Sequence, residues 1–176
     1  MNKEELAKAI YNVSHITGEF ILRSGQTSKE YFDKYLFEAD PRILVDIAKT
    51  MKNLIPKDTE VIAGLEMGGI PLVTALMMET GIKAAFIRKK AKEYGTCRLA
   101  EGANIEGKRV CIIEDIVTTG GQQIESALEL RKRGAVVDTA ICVILRDEKA
   151  LDSFRKESIA LFPVYTMEYL KSIADE

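Results

Sequence analysis

Apolar positions repeat along this chain in two rhythms, and the alternation between them predicts the architecture. Leu6, Ile10 and Val13 recur at helical spacing, so a short helix opens the chain. Residues 14 to 40 show poor periodicity and hold a turn-rich, aromatic patch, RSGQTSKEYF. Asp40-Pro41 then offers an N-cap with proline at the first helical position, and Leu44, Ile47, Ala48, Met51 and Leu54 carry a helix towards Pro56. Beyond that point strand and helix alternate. VIAGL (61–65) reads as a short buried strand, and Pro71 to Thr80 as a helix stopped by Gly81. KAAFI (83–87) and RVCII (109–113) read as further strands. Ile124, Ala127 and Leu128 mark one face of a helix that ends in Arg131-Lys132-Arg133-Gly134, cations and then glycine. VVDTAICVIL (136–145) and SIALFPV (158–164) complete the strand set.

Short apolar strands separated by amphipathic helices predict an α/β fold, with a mostly parallel central sheet covered by helices on both faces. No repeat, low-complexity tract or linker divides the 176 residues, so one domain spanning 1–176 is expected. The one long irregular stretch inside it is 88–107, RKKAKEYGTCRLAEGANIEG, and connections of that length are usually functional loops or disordered.

Composition narrows the partners. A net charge of −2 gives no overall pull toward nucleic acid or membrane, and no apolar stretch reaches the ~20 residues that span a bilayer. The charged N-terminus lacks the apolar core of a signal peptide. Three cysteines (Cys97, Cys111, Cys142) without CxxC spacing fit a reducing cytoplasm, and a single histidine, His15, argues against zinc.

Three stretches carry candidate chemistry. In VCIIEDIVTTGGQ (110–122) an apolar strand stops at Glu114 and Asp115, and a threonine–glycine run, Thr118 to Gln122, opens the next helix. Ligands of open parallel sheets sit beyond the carboxyl ends of the strands. Glycines allow close backbone approach, and N–H groups at a helix start attract phosphate. Carboxylates can accept hydrogen bonds from sugar hydroxyls or organise hydrated Mg²⁺. Acids beside a phosphate loop therefore suggest a sugar phosphate, although an ordinary strand–turn–helix junction with a threonine N-cap has the same pattern. The second stretch is the loop, where Arg88, Lys89, Lys90, Lys92 and Arg98 form a cationic cluster suited to pyrophosphate or, more blandly, a solvated charge run. The third, GLEMGGIP (64–71), is either a second backbone anion site or a tight turn.

Together these stretches resemble the type I phosphoribosyltransferases, and within them the orotate phosphoribosyltransferases. Residues 110–122 are similar to that family's 5-phosphoribosyl 1-diphosphate signature, 88–102 to its catalytic loop, ILRSGQTSKEYF (21–32) to its N-terminal substrate segment, and LRDE (145–148) to the place of its orotate-contacting arginine. The resemblance implies the type I fold with a small N-terminal hood, about 1–40, and a mobile catalytic loop, about 88–107. It implies a donor site of Arg88, Lys89, Lys92 and Tyr94 at the diphosphate, Glu114 and Asp115 at the ribose, and Thr118, Thr119, Gly120, Gly121 and Gln122 at the 5-phosphate, with Ile116 and Val117 also part of the donor site. Orotate would meet Arg146, Thr118, Arg23, Tyr31 and Phe32. The catalytic set would be Lys92, Lys89, Arg88 and Asp115. Mg²⁺ would bind through diphosphate and water, with Asp115 the one candidate protein ligand. A homodimer sharing the loop across its interface is also implied, without nucleic acid or membrane partners.

Two departures from the family pattern stand out. Tyr94 replaces a loop histidine, which leaves Lys92 as the better candidate for assisting the leaving group, and Gly68 replaces a lysine that some members carry. The implied activity is formation of orotidine 5′-monophosphate in pyrimidine biosynthesis. The rivals are a phosphoribosyltransferase for a neutral base, for which Arg146 and Arg23 would have no carboxylate to bind, and a ligand-sensing regulator on the same fold.

Overall fold

The computed structural model describes residues 1–22, 25–89 and 99–174. Helix α1 (Lys3–Ser14) is capped by Asn2 and Glu5, each side chain bonding the other's backbone N–H. Strands β1 (His15–Ile21) and β2 (Thr27–Phe32) follow as an antiparallel hairpin. The stretch without apolar periodicity is therefore a two-stranded sheet, with mostly exposed residues on both strands. Helix α2 (Lys34–Ala39) is capped by Asp33 and leads to α3 (Pro41–Met51). The Asp40 carboxylate accepts the N–H groups of Arg42 (2.9 Å) and Ile43 (3.2 Å), as the Asp-Pro pair predicts. α3 ends at Met51 in a 3₁₀ turn rather than running on to Pro56.

The main sheet has six strands: β3 (Val61–Leu65), β4 (Lys83–Ile87), β5 (Ala100–Gly102), β6 (Arg109–Val117), β7 (Val136–Leu145) and β8 (Ala160–Thr166), in the order β5-β4-β3-β6-β7-β8. All neighbours are parallel except β5, which runs against β4 inside the stretch expected to be irregular. Helices α4 (Gly69–Thr80), α5 (Gly121–Lys132), α6 (Lys149–Lys156) and α7 (Met167–Ala174) complete the chain. α4 starts two residues before Pro71, and β8 lies two residues later than the apolar run suggests.

Alternate strand residues feed two cores, one on each face of the sheet. Ile62, Cys111 and Ile113 pack with Leu6, Ile10, Phe37, Ile47, Leu72 and Leu170 from α1, α2, α3, α4 and α7. Ala63, Ile112 and Cys142 pack with Ala127, Leu130 and Phe154 from α5 and α6. Parallel register sets Leu65 beside Ile87 and Val117 beside Leu145, so the carboxyl ends of β3, β4, β6 and β7 share one edge of the sheet. The candidate stretches emerge along that edge. Among the described residues no helix is long and apolar enough to cross a membrane.

Candidate active site

β6 does not stop at the acids. Its pairing with β7 continues through Ile116↔Ile144 and Val117↔Leu145, so Glu114 and Asp115 belong to the strand. Strand alternation then starts them toward opposite faces, while their carboxyls stay within hydrogen-bonding reach of each other. Glu114 lies on the α5 side, where its carboxylate accepts from Gln123 Nε2 (3.0 Å) and from the Asp115 N–H (3.0 Å). Asp115 lies on the α2 side. Its Oδ2 pairs with Lys34 Nζ at 2.5 Å, and its Oδ1 accepts from the Ile116 N–H at 2.5 Å. Both acids are buried, as is Glu38, which is 6% exposed and lies with its carboxyl within hydrogen-bonding reach of Asp115.

Burial and environment separate these carboxyls. Burial and the neighbouring Asp115 charge push Glu114 up to about 8 and Glu38 up to about 9. Burial would raise Asp115 too, but hydrogen bonds from Glu114 and Lys34, with the lysine's charge, hold it below its ordinary value. Lys34 is raised: the loss of water is outweighed by its hydrogen bond and attraction to Asp115. The environment therefore favours an ionised Asp115 paired with the Lys34 ammonium, and the protonated forms of Glu114 and Glu38.

After Val117 come the exposed Thr118 and Thr119, the buried Gly120, and the exposed Gly121 and Gln122. Gly120, not a threonine, occupies the N-cap of α5, at φ 80°, and no side chain caps the helix. A Cβ on Gly120 would run into the ring of Phe154, a fully buried residue of α6. A bare backbone here follows from packing as well as dihedral. The uncapped first turn of α5 leaves N–H groups and the positive end of its dipole at the sheet edge, as an anion site requires.

The turn between β3 and α4, Glu66–Gly69, lies beside this loop and contains a cis Glu66–Met67 bond. α4 also begins without a side-chain cap. Gly68 has ordinary helical dihedrals, and its lack of a side chain reflects space: a Cβ there would overlap Asp115 Oδ2. The Glu66 carboxylate accepts the Lys89 N–H, which ties the turn to the start of the cationic loop. Arg88 and Lys89 share a cavity of about 230 Å³ with Gln122 from the start of α5. Arg88 also meets Glu101 at 3.4 Å. Lys90, Lys92, Tyr94 and Arg98, like Arg23, lie outside the described residues.

On the other side of the edge, Arg146 follows β7, its N–H bonded to the Val117 carbonyl (2.8 Å). Its guanidinium lies 5.9 Å from the centre of the Phe32 ring, within cation–π range. Arg146, Tyr31 and Phe32 line one cavity of about 390 Å³ together with His15, Tyr11 and Lys171. A larger cavity, about 640 Å³, lies along α3 and the N-terminus and holds none of these residues. Size is therefore a poor guide here, and the convergence of charged groups is the better one. No group of three or more His, Cys, Asp or Glu among the described residues could cage a metal ion.

Comparison with known proteins decides the family. Residues 37–160 match the profile of the Phosphoribosyl transferase domain. Orotate phosphoribosyltransferase from Nocardioides sp. is 47% identical over 161 residues, covering 92% of this chain and 90% of the relative. The chain belongs to the orotate phosphoribosyltransferase family. A relative from Halobacterium salinarum with the same name is 40% identical over 85% of each chain. Among solved structures, Mycobacterium tuberculosis orotate phosphoribosyltransferase with Fe(III) dicitrate superposes with a TM-score of 0.87 at 29% identity, covering 97% of this chain and 99% of that one. The same enzyme in complex with 5-phospho-alpha-D-ribosyl 1-diphosphate gives 0.83 at 26%, with equal coverage.

Within this family frame, sequence reasoning missed Lys34, Glu38 and Gln123. Lys34 and Glu38 are four apart on a six-residue helix, a spacing that shares a helix face, but no apolar rhythm marks that helix.

Proposed function

We propose that the chain transfers ribose 5-phosphate from 5-phosphoribosyl 1-diphosphate to N1 of orotate, releasing pyrophosphate and forming orotidine 5′-monophosphate for pyrimidine biosynthesis. The observation that carries the choice of base is Arg146 against Phe32 and Tyr31 in one cavity. A guanidinium over an aromatic wall suits a flat, carboxylate-bearing base, and a neutral base would leave the cation unanswered.

In this reading the uncapped first turn of α5, with Thr118, Thr119 and Gly120 to Gln122, takes the 5-phosphate, and Ile116 and Val117 set the strand end from which that loop leaves. Asp115 and Glu114 serve the ribose hydroxyls from their two faces. The turn 66–69 takes the diphosphate on backbone N–H groups, with Arg88 and Lys89 beside it. Lys92, Tyr94 and Arg23 keep the roles that the resemblance assigns them, the first two at the diphosphate and the last at orotate.

As the C1–O bond to the donor breaks, negative charge grows on pyrophosphate and positive charge on the sugar. Cations fixed before the reaction lower that barrier without reorganising. The orotate nitrogen is already acidic, so no strong general base is required. A single ionised acid, Asp115, beside protonated carboxyls fits Mg²⁺ carried in by the donor and held largely through phosphate oxygens and water; such an ion would neutralise charge on the diphosphate.

The proposal includes a single domain with a hood near 1–40, a homodimer that shares the 88–107 loop, and a cytoplasmic location, which the free buried thiols Cys111 and Cys142 support. Orotate absorbance followed with donor and Mg²⁺, with uracil, hypoxanthine and xanthine as competitors, tests the reading. Preference for a purine would overturn it. Lys92→Ala should lower kcat far more than it weakens donor binding, and restored activity on mixing Lys92→Ala with Asp115→Ala subunits would show sites shared across the dimer.

A further inference from the structure

Outside the loop 88–107, the diphosphate turn has no basic side chain of its own. Gly68 faces Asp115 so closely that no side chain could leave the turn there while Asp115 stays in place. The ammonium of Lys34 stands at this point, 2.5 Å from the same Asp115 oxygen that abuts Gly68. Asp115 is 1% exposed, whereas the Lys34 side chain is 32% exposed, so Lys34 holds the buried acid while part of its stem stays open to solvent. Among the described residues no other lysine or arginine is ion-paired with Glu38, Glu114 or Asp115.

A second observation marks the same spot. Glu38, one helical turn after Lys34, is nine-tenths buried, and its carboxyl lies within hydrogen-bonding reach of Asp115. Its Oε1 lies 3.1 Å from the place where a Gly68 side chain would begin. Glu38 and Lys34 thus frame one polar position between α2 and the turn.

We propose that Lys34 is a donor-binding residue: it supplies the diphosphate turn with the positive charge that Gly68 cannot carry, and it pairs with Asp115 until the donor arrives. The inference rests on the functional reading above. A lysine is suited to the exchange, since its ammonium is a compact charge on a flexible stem and needs no fixed bidentate geometry. When the diphosphate enters, Lys34 turns from a single buried carboxylate to a more highly charged anion. Asp115 Oδ2 is then released to accept a ribose hydroxyl. One movement would complete both halves of the donor site.

The test compares a ligand with a diphosphate to one without. Binding of 5-phosphoribosyl 1-diphosphate with Mg²⁺, and separately of orotidine 5′-monophosphate, is measured by calorimetry for the wild type, Lys34→Met and Lys34→Arg. Lys34→Met should bind the donor about ten- to a hundredfold more weakly, the scale of one charge-assisted contact. It should bind the nucleotide within about twofold of wild type, which also shows that it folds. Lys34→Arg should recover part of the donor affinity. In turnover, the donor KM should rise more than kcat falls. Equal losses on both ligands would overturn the proposal, because Lys34 would then only position Asp115; so would unchanged donor affinity. Should the methionine variant not fold, Lys34→Gln, which keeps a polar tip for Asp115 without the charge, makes the same comparison. Failure of the functional reading itself would look different: the wild type would bind neither ligand.

Discussion

Gly120→Ala tests whether the phosphate loop is shaped by the core behind it. Two costs are separable. At φ 80° an alanine enters a left-handed conformation that costs about 1–2 kcal/mol for an L side chain. Its Cβ would also overlap the Phe154 ring, with Cδ2 only 3.0 Å away and Cζ 3.3 Å. Phe154 is fully buried among Ala127, Leu130 and Ile159 and cannot swing out, so overpacking adds about 1–3 kcal/mol. The sum, about 2–5 kcal/mol, is a large part of the 5–15 kcal/mol typical of a domain. In urea unfolding, with a slope of about 2 kcal/mol/M, the midpoint should fall by about 1–2.5 M. Donor KM should rise in step, since any relief of the overlap moves the first turn of α5. Phe154→Leu removes the obstructing ring, so the double variant should lose less stability than the two single losses added together. Gly120→Ala with a wild-type midpoint would refute the argument. A double variant showing strict additivity would refute the steric half alone.

Three further outcomes follow from named contacts. Arg146→Ala should raise the orotate KM by about ten- to a hundredfold, the loss of one charge-assisted bond, while steady-state kinetics show the donor KM little changed. Arg131→Ala should lower stability by about 2–4 kcal/mol in urea unfolding, because its guanidinium donates to the carbonyls of Val137 (2.8 Å), Glu157 (2.9 Å) and Ser158 (3.2 Å) and so ties α5 to the start of β7 and to the α6–β8 turn. Glu38 titrates near 9 when folded and near 4.5 when unfolded, so the unfolded chain binds fewer protons between those values and stability falls as pH rises through that window. Glu38→Gln should flatten that decline by up to about 1.4 kcal/mol per pH unit, read from urea midpoints between pH 5 and 9.

The helices and central strands were legible because their apolar residues recur with the period of the element that buries them. α3 shows this best, with its Asp-Pro start and its Ile43, Ile47 and Met51 stripe. The β1–β2 hairpin was not legible, since most of its side chains are exposed and its register comes from backbone pairing, such as Ile16 with Tyr31. The extension of β6 through Glu114 and Asp115 was hidden for a related reason: it depends on pairing with β7, and two acids in an apolar run imitate a strand end. Arg88, Lys89, Gln122, Arg146, Tyr31 and Phe32 stood out in the sequence because chemistry and place in the fold coincided, and they line two cavities on one sheet edge. Lys34 and Glu38 carry meaning only once α2 is laid against Asp115, and no local pattern encodes that contact.

The strand assignment changes what an adjacent acid pair can do. Two carboxylates at a loop tip would both be solvated and both charged, and would present two negative charges to an anionic donor. Placed inside β6 they leave on opposite faces, and each face supplies a different partner. An amide, Gln123, meets Glu114 and favours its charged form, but burial and the neighbouring Asp115 charge outweigh it and push the carboxyl up to about 8. An ammonium, Lys34, meets Asp115, which stays ionised. The two environments therefore favour a single charge on the pair, at Asp115, where Lys34 balances it. A protonated carboxyl can donate a hydrogen bond, and an ionised one can only accept. On the proposed reading, ribose hydroxyls, each both donor and acceptor, would meet two unlike carboxyls, with less of the repulsion that an ionised pair would raise against the phosphates.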